Sequence, residues 1–296
     1  MTALAPFELH RAGSVAEAAG LLTELADDAV IYAGGTELLL LMKLGFAAYG
    51  HLVDIKPIEE LHGITLIDGT LRIGAAVTHR EIERSSLVLD GCPELARVEG
   101  HLANIRVRSV GTLGGNLSFA DPHSDPATFL FAADAQVIIG TGDDRRIMPM
   151  TEFTTGPYET ALAPGEVLVG VELPPLGDDV AMIHHRFAFH ERPAATVSCF
   201  VRIQDGRISE ARVAVGSVGV RPVLVRDAAA HILGQSSADP DPDALAACGR
   251  AAADASEPVT DPNGSDDYKH HLVQVMVGRC IRAAATRARA PRSAAA

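Results

Sequence analysis

At 296 residues the chain is long enough for two domains that each bury a core. Its net charge of −13 argues against a nucleic-acid surface. A mean hydropathy of +0.16, with no apolar run near the ~20 residues of a membrane span, marks a globular chain. The start lacks a signal peptide's basic-then-apolar pattern, so the cytoplasm is the expected location.

In chain order, Ser14 and Glu17 have capping-box spacing and open a helix with apolar residues at Val15, Ala18, Leu22 and Leu25. Ala29-Val30-Ile31-Tyr32 predicts a buried strand. It runs into Ala33-Gly34-Gly35-Thr36-Glu37-Leu38, and residues 38–44 predict a helix packed on most sides. A glycine pair there lets the backbone turn and keeps no Cβ between it and a ligand. The unpaired N–H groups that follow suit an anion. Leu52-Val53-Asp54-Ile55 predicts a further strand, so a small βαβ unit ends near residue 55.

A strand over 71–76, a helix from His79 and another over 93–103 begin a second unit. The next landmark is Gly111-Thr112-Leu113-Gly114-Gly115-Asn116. Its glycines allow close approach, while Thr112, Asn116 and Ser118 offer short polar side chains. Beyond it, Asp121 and Asp125 offer acceptors for ligand hydroxyls. With His123 they could also ligate a metal, but hydroxyl binding accounts for them better and no metal site is expected. Two glycine-rich loops suit a ligand with a central pyrophosphate, such as a dinucleotide. Neither the Rossmann Gly-x-Gly-x-x-Gly nor the P-loop pattern occurs.

A helix over 125–133 and strands at 137–139 and Val167–Leu173 come next. Pro174-Pro175, followed by Gly177-Asp178-Asp179, predicts the boundary between domains 1–176 and 177–290. The second domain reads as strands over 196–203 and 211–218 around the hairpin signal Asp205-Gly206. Pro222 is expected in a first helical turn. Ser265 or Asp266 can cap a last helix with the stripe Leu272, Val273, Met276, Val277, Cys280 and Ile281. Residues 291–296 are expected to form a mobile tail. Cys92, Cys199, Cys248 and Cys280 have no Cys-x-x-Cys spacing and so form no zinc or iron–sulfur motif; Cys199 and Cys280 read as core residues. The His184-His185 and His270-His271 pairs read as surface residues.

The two loops carry a resemblance. Ala33-Gly34-Gly35-Thr36-Glu37-Leu38-Leu39, with Leu41-Met42-Lys43, resembles the first signature of the FAD-binding medium subunits of molybdenum hydroxylases. Gly111-Thr112-Leu113-Gly114-Gly115-Asn116-Leu117 resembles the second. Shorter similarities at Val77-Thr78-His79, Tyr158-Glu159-Thr160, Glu166-Val167-Leu168, Arg221-Pro222 and Tyr268-Lys269-His270-His271-Leu272 extend it along the chain. That family includes the flavin modules of xanthine, carbon monoxide and nicotine dehydrogenases.

The resemblance implies an α+β fold. A FAD-binding domain of two subdomains, about 1–55 and 56–176, is of the type shared with cell-wall precursor reductases. A smaller α+β domain with an antiparallel sheet and helices follows. The resemblance also implies roles. Gly34, Gly35, Thr36, Glu37 and Leu38 would bind the FAD pyrophosphate, with Ile31, Tyr32 and Ala33 lining the approach. Leu102 and Ala103 would lie along the flavin or its linker, and Thr112, Leu113, Gly114, Gly115 and Asn116 would form the second cradle. Asp121 and Asp125 would meet the sugar or ribityl portion, and Leu168 and His190 the two ring ends.

Two departures stand out. His190 replaces a common basic residue, and Asn104-Ile105-Arg106-Val107-Arg108 differs from the family's Gln-Ile-Arg-Asn run; Arg106 and Arg108 either support the loop or face solvent. No residue of this chain is expected to be catalytic. The molybdenum cofactor would sit on a large partner subunit and two iron–sulfur clusters on a small one. This chain would pass their electrons through FAD to an external acceptor. The competing reading, a self-sufficient FAD reductase or oxidase of a small molecule, needs its own acid–base residue, and residues 177–290 offer no clear candidate.

Overall fold

A computed structural model describes residues 4–289; the tail expected over 291–296 lies outside the described residues. By compactness the chain divides into two units. One comprises the residues up to 119 together with 136–173, and the other comprises 120–135 together with the residues from 174 onward.

The first unit contains two sheets. Strands Glu8–Arg11, His51–Asp54 and Ala29–Tyr32 form a parallel sheet in that spatial order. Helix Val15–Leu25 crosses between its first two strands in sequence and buries Val15, Ala18 and Ala19. Ser14 Oγ accepts from the Glu17 N–H at 3.1 Å. The Glu17 carboxylate reaches the Gly13 N–H at 2.7 Å, not that of Ser14, so the expected box closes one residue early. The helix Leu38–Leu44 differs more from expectation. Only Met42 is buried, whereas Leu40 and Leu44 are exposed.

The second sheet is antiparallel, in the order Ile64–Ile67, Thr70–Gly74, Val167–Leu173, Gln136–Gly140, Arg145–Pro149. Its first hairpin turns at Asp68 and Gly69, both at positive φ, as the tight turn between two right-twisted strands requires. Register slips between Leu168 and Gly170. At the slip, the Val169 carbonyl turns to accept the N–H of Ala75.

The second unit is an antiparallel sheet of Val180–Phe187, Ala195–Gln204, Arg207–Gly216 and Val223–Leu224. Strand alternation gives it two different faces. Val197, Cys199 and Val201 join Val273, Val277, Cys280 and Ile281 of helix Asp266–Arg289 in one core. The other face holds Thr196 and Ser198 and is covered by helix Asp125–Ala132. There Thr128 Oγ1 lies 3.2 Å from Thr196 Oγ1, and Arg212 donates to the Ala132 carbonyl at 2.9 Å. A Cβ on Gly216 would lie 2.0 Å from Thr128 Oγ1, so the helix seats only on a glycine. Phe129 and Phe131 of that helix are fully buried, each contributing about 1.5–3 kcal/mol.

Two expectations are corrected here. Pro222 opens no helix; the short strand Val223–Leu224 follows it, because residues 223–224 pair with Val215 and Ala214. His184 is buried, not superficial: its ring lies 2.8 Å from Ser198 Oγ and 3.3 Å from Asp125 Oδ1. Cys199 and Cys280 are fully buried, as the apolar sequence around them suggests. Burial pushes the Cys199 thiol pKa well up and raises that of Cys248 to about 12.

Candidate functional site

The first glycine-rich loop leaves the end of strand Ala29–Tyr32. The Tyr32 carbonyl accepts from the Ile55 N–H, and the Ala33 carbonyl accepts from Lys56 Nζ at 3.2 Å. Lys56 is itself fixed: its ammonium lies 2.6 Å from Asp54 Oδ1 and 3.7 Å from the centre of the Tyr32 ring. Past Gly35 the carbonyls turn into the helix, with Leu39 N–H donating to Gly35 and Leu41 N–H to Glu37. The donors are a different matter. Among the described residues, none accepts a hydrogen bond from the backbone N–H of Gly34, Gly35 or Thr36. These residues are only half-buried, so three amide donors sit together where a ligand can reach them.

The second loop lies against the first. A Cβ on Gly34 would stand 2.2 Å from the Val110 carbonyl oxygen and 2.7 Å from Gly111 Cα. Five of its six amides, all but that of Thr112, are spent on the protein. Gly111 donates to Val107, Leu113 to Val77, Gly114 to Ala75, and Asn116 to Thr112. The Gly115 N–H donates to Thr112 Oγ1 at 3.1 Å. Behind the loop, the His79 N–H donates to the Gly111 carbonyl, and its ring pairs with the buried Glu99 carboxylate at 2.6 Å. Thr78 and Glu81 form a complete capping box at the start of that helix.

The glycines can be sorted by what each leaves room for. Gly34 is held by Val110, and Gly114 by Ala75, whose Cβ would be 2.6 Å from an added one. Gly35 has φ +68, and its Cβ would point at the Tyr32 ring and Leu39. So a side chain at Gly35 would strain the backbone and strike Tyr32 before it filled any phosphate space. Gly115 is exposed, and a Cβ there would meet only the Thr112 hydroxyl, at 2.9 Å. A Cβ there would displace the hydroxyl that accepts the Gly115 N–H, so the glycine keeps that bond while its exposed flank stays accessible to a ligand. The three amides and this open flank fit a diphosphate.

Leu102 and Ala103 flank the loop in the first unit. Arg108 holds their carbonyls at 2.8 and 3.4 Å and contacts Glu83 at 3.2 Å, so it supports the loop. Arg106 is exposed. Burial raises the Glu83 pKa, but hydrogen bonds and charge from Arg80 and Arg108 outweigh it and hold the carboxyl below its usual range. Leu168 is buried in its strand opposite Ile139, a wall of the core.

The other three expected residues belong to the second unit. Asp125 is buried, with one oxygen 3.3 Å from His184 and the other 3.2 Å from Arg186. Asp121 also has protein partners. Its oxygens take the His123 N–H at 2.9 Å and Arg192 at 2.9 Å. Burial raises its pKa, but the His123 hydrogen bonds and the Arg192 charge lower it further, to a net depression. His190 is exposed on the turn joining Val180–Phe187 to Ala195–Gln204. Lys56 and Asp54 are the residues sequence reasoning missed. Their signal was a lysine two positions past an acidic strand end.

Comparison with known proteins identifies the family. Residues 5–176 match the model of the FAD binding domain in molybdopterin dehydrogenase, and residues 189–284 that of the CO dehydrogenase flavoprotein C-terminal domain. The chain is 32% identical over 280 residues to the carbon monoxide dehydrogenase medium chain of Hydrogenophaga pseudoflava, spanning 94% of this chain and 96% of that one. It is 30% identical to the xanthine dehydrogenase FAD-binding subunit of Escherichia coli O157:H7, over 92% and 94% of the two. Among solved structures, a chain of the H. pseudoflava carbon monoxide dehydrogenase that lacks the Mo-pyranopterin moiety superposes with a TM-score of 0.93 at 32% identity, covering 97% of this chain and 99% of that one. Quinoline 2-oxidoreductase from Pseudomonas putida 86 superposes with a TM-score of 0.90 at 30% identity, over 97% and 99%.

Proposed function

The chain belongs to the FAD-binding medium subunits of the molybdenum hydroxylase family, and from that premise we propose that it is the electron-transfer subunit of a three-part oxidoreductase. In this reading a large partner carries the molybdenum cofactor and a small partner carries two iron–sulfur clusters. This chain receives their electrons and hands them to an external acceptor. FAD, when bound, supplies the redox chemistry.

The chain's own residues hold and shield it. The amides of Gly34, Gly35 and Thr36 receive the diphosphate, with Ile31, Tyr32, Ala33, Glu37 and Leu38 forming the rest of that wall. Thr112, Leu113, Gly114, Gly115 and Asn116 close the second side. Lys56 places a positive charge beside the first loop while keeping the Ala33 carbonyl turned away from the anion. Leu102 and Ala103 border the site. Charge-assisted bonds of this kind contribute about 1.5–3 kcal/mol each.

The observation that carries the reading is the trio of unpaired amides set against the second loop. The test is purification of the chain from its own cells. A yellow preparation releasing FAD on denaturation, together with a large chain and a small cysteine-rich one, supports it. A colourless chain that takes up no FAD refutes the site. A lone yellow protein that turns over a substrate by itself refutes the electron-transfer role.

A further inference from the structure

The parallel sheet of the first unit carries a cluster outside the two glycine-rich loops. Register places Glu8 directly across from His51, and His10 lies two residues along the same strand, on the same face. His10 Nε2 is 3.0 Å from His51 Nδ1, and Glu8 Oε2 is 3.7 Å from the same nitrogen. The three ligand atoms all lie within 4.8 Å of one another. Both imidazoles are half-buried and Glu8 is exposed, so an ion has an open path to them. On the far side of the ring, Asp28 Oδ2 lies 3.9 Å from His51 Nε2. Asp28 is held there by the Gly50 N–H at 2.8 Å, and a Cβ on Gly50 would strike that carboxylate.

We propose that His10, His51 and Glu8 form a divalent transition-metal site of the zinc class, with Asp28 orienting His51 from behind. Two imidazoles and one carboxylate are a sufficient donor set for Zn²⁺, leaving a fourth position to water. Bonds of about 2.0–2.1 Å at the tetrahedral angle put ligand atoms about 3.3 Å apart, a spacing bracketed by the 3.0 and 3.7 Å found here. Metal on Nδ1 of His51 leaves its Nε2–H on the side of Asp28, 3.9 Å away, so a small rotation of the carboxylate would close the carboxylate–histidine–metal arrangement that fixes ring orientation. The ion would staple the strand Glu8–Arg11 to His51–Asp54, the central strand of the sheet, at the edge opposite Ala29–Tyr32.

The test uses the full chain, stripped with a chelator and titrated with Zn²⁺ by calorimetry, with bound metal counted by elemental analysis and folding checked by circular dichroism. The expected result is one equivalent bound at micromolar affinity or better. His10→Gln and His51→Gln should each weaken binding at least tenfold with the fold unchanged, and Asp28→Asn about tenfold. Zn²⁺ should raise the thermal midpoint of the native chain and not that of the His10→Gln/His51→Gln variant. Binding no tighter than millimolar overturns the proposal. So does one equivalent whose affinity ignores both histidine substitutions, since the ion would then sit elsewhere.

Discussion

The two glycine-rich loops look alike as sequence and do opposite things with their backbones. In the first, the carbonyls of Tyr32, Ala33 and Gly35 are occupied, while the amides of Gly34, Gly35 and Thr36 are left over. In the second, the amides of Gly111, Leu113, Gly114, Gly115 and Asn116 are all engaged by the protein. One loop offers donors; the other is a strap that holds its neighbour in place. A glycine in such a motif therefore has no single meaning. Gly34 and Gly114 permit close packing, Gly35 permits a left-handed turn, and Gly115 spares the Thr112 hydroxyl on an exposed flank.

Four substitutions put that division at risk, beginning with the most damaging. Gly34→Ala forces a Cβ onto the Val110 carbonyl and Gly111 backbone, which cannot swing aside as a side chain would. It should cost about 3 kcal/mol or more and abolish flavin retention, read by chemical denaturation and by FAD content. Gly114→Ala meets Ala75 at 2.6 Å. It should cost about 1–3 kcal/mol, with FAD still bound by the fraction that stays folded. If Gly114→Ala emptied a fully stable protein, the second loop would be a donor loop after all.

Lys56→Gln comes third. It frees the Ala33 carbonyl and removes a charge beside the first loop, and Lys56 is part-exposed. The expectation is an FAD Kd raised about threefold to tenfold with a thermal midpoint near native. Gly115→Ala should have the smallest effect on folding, within about 1 kcal/mol, because only a hydroxyl must move and alanine favours the helix it begins. It should nonetheless weaken FAD binding measurably by fluorescence titration. Unchanged affinity would mean that the ligand does not use that flank.

Much of the local structure was legible because it depends on near neighbours. The apolar runs gave strands Ala29–Tyr32 and Val167–Leu173 with the bounds they have in the structure. Asp205-Gly206 read as a hairpin turn for the reason it is one, with both residues at positive φ. Asp68-Gly69 carries the same signal and was passed over, so the strand Ile64–Ile67 went unseen. Legibility failed where a distant segment decides. The burial of His184 depends on Asp125, 59 positions away, and Ser198 on the next strand. Nothing local to Asp125 reveals the buried histidine beside it.

The same distance blurred the candidate site. Both loops announced themselves through their glycines, but which amides were spent depended on Ala75, Val77 and Val107. Lys56 was invisible because its partner, the Ala33 carbonyl, lies 23 residues before it. The family resemblance carried the cofactor, yet it could not separate a donor loop from a strap.

Helix Asp125–Ala132 also has a history in time. It belongs with a sheet whose first strand, Val180–Phe187, is synthesised about 50 residues later. The strands that cover it, Ala195–Gln204 and Arg207–Gly216, come later still, so at 5–20 residues per second the helix waits roughly 3–17 s for the surface it packs on. During that interval the Asp125 carboxylate lacks His184 and Arg186, and Thr128 lacks Thr196. A ribosome pausing between residues 135 and 180 would lengthen the exposure, and a chaperone that binds short apolar helices would find its site there.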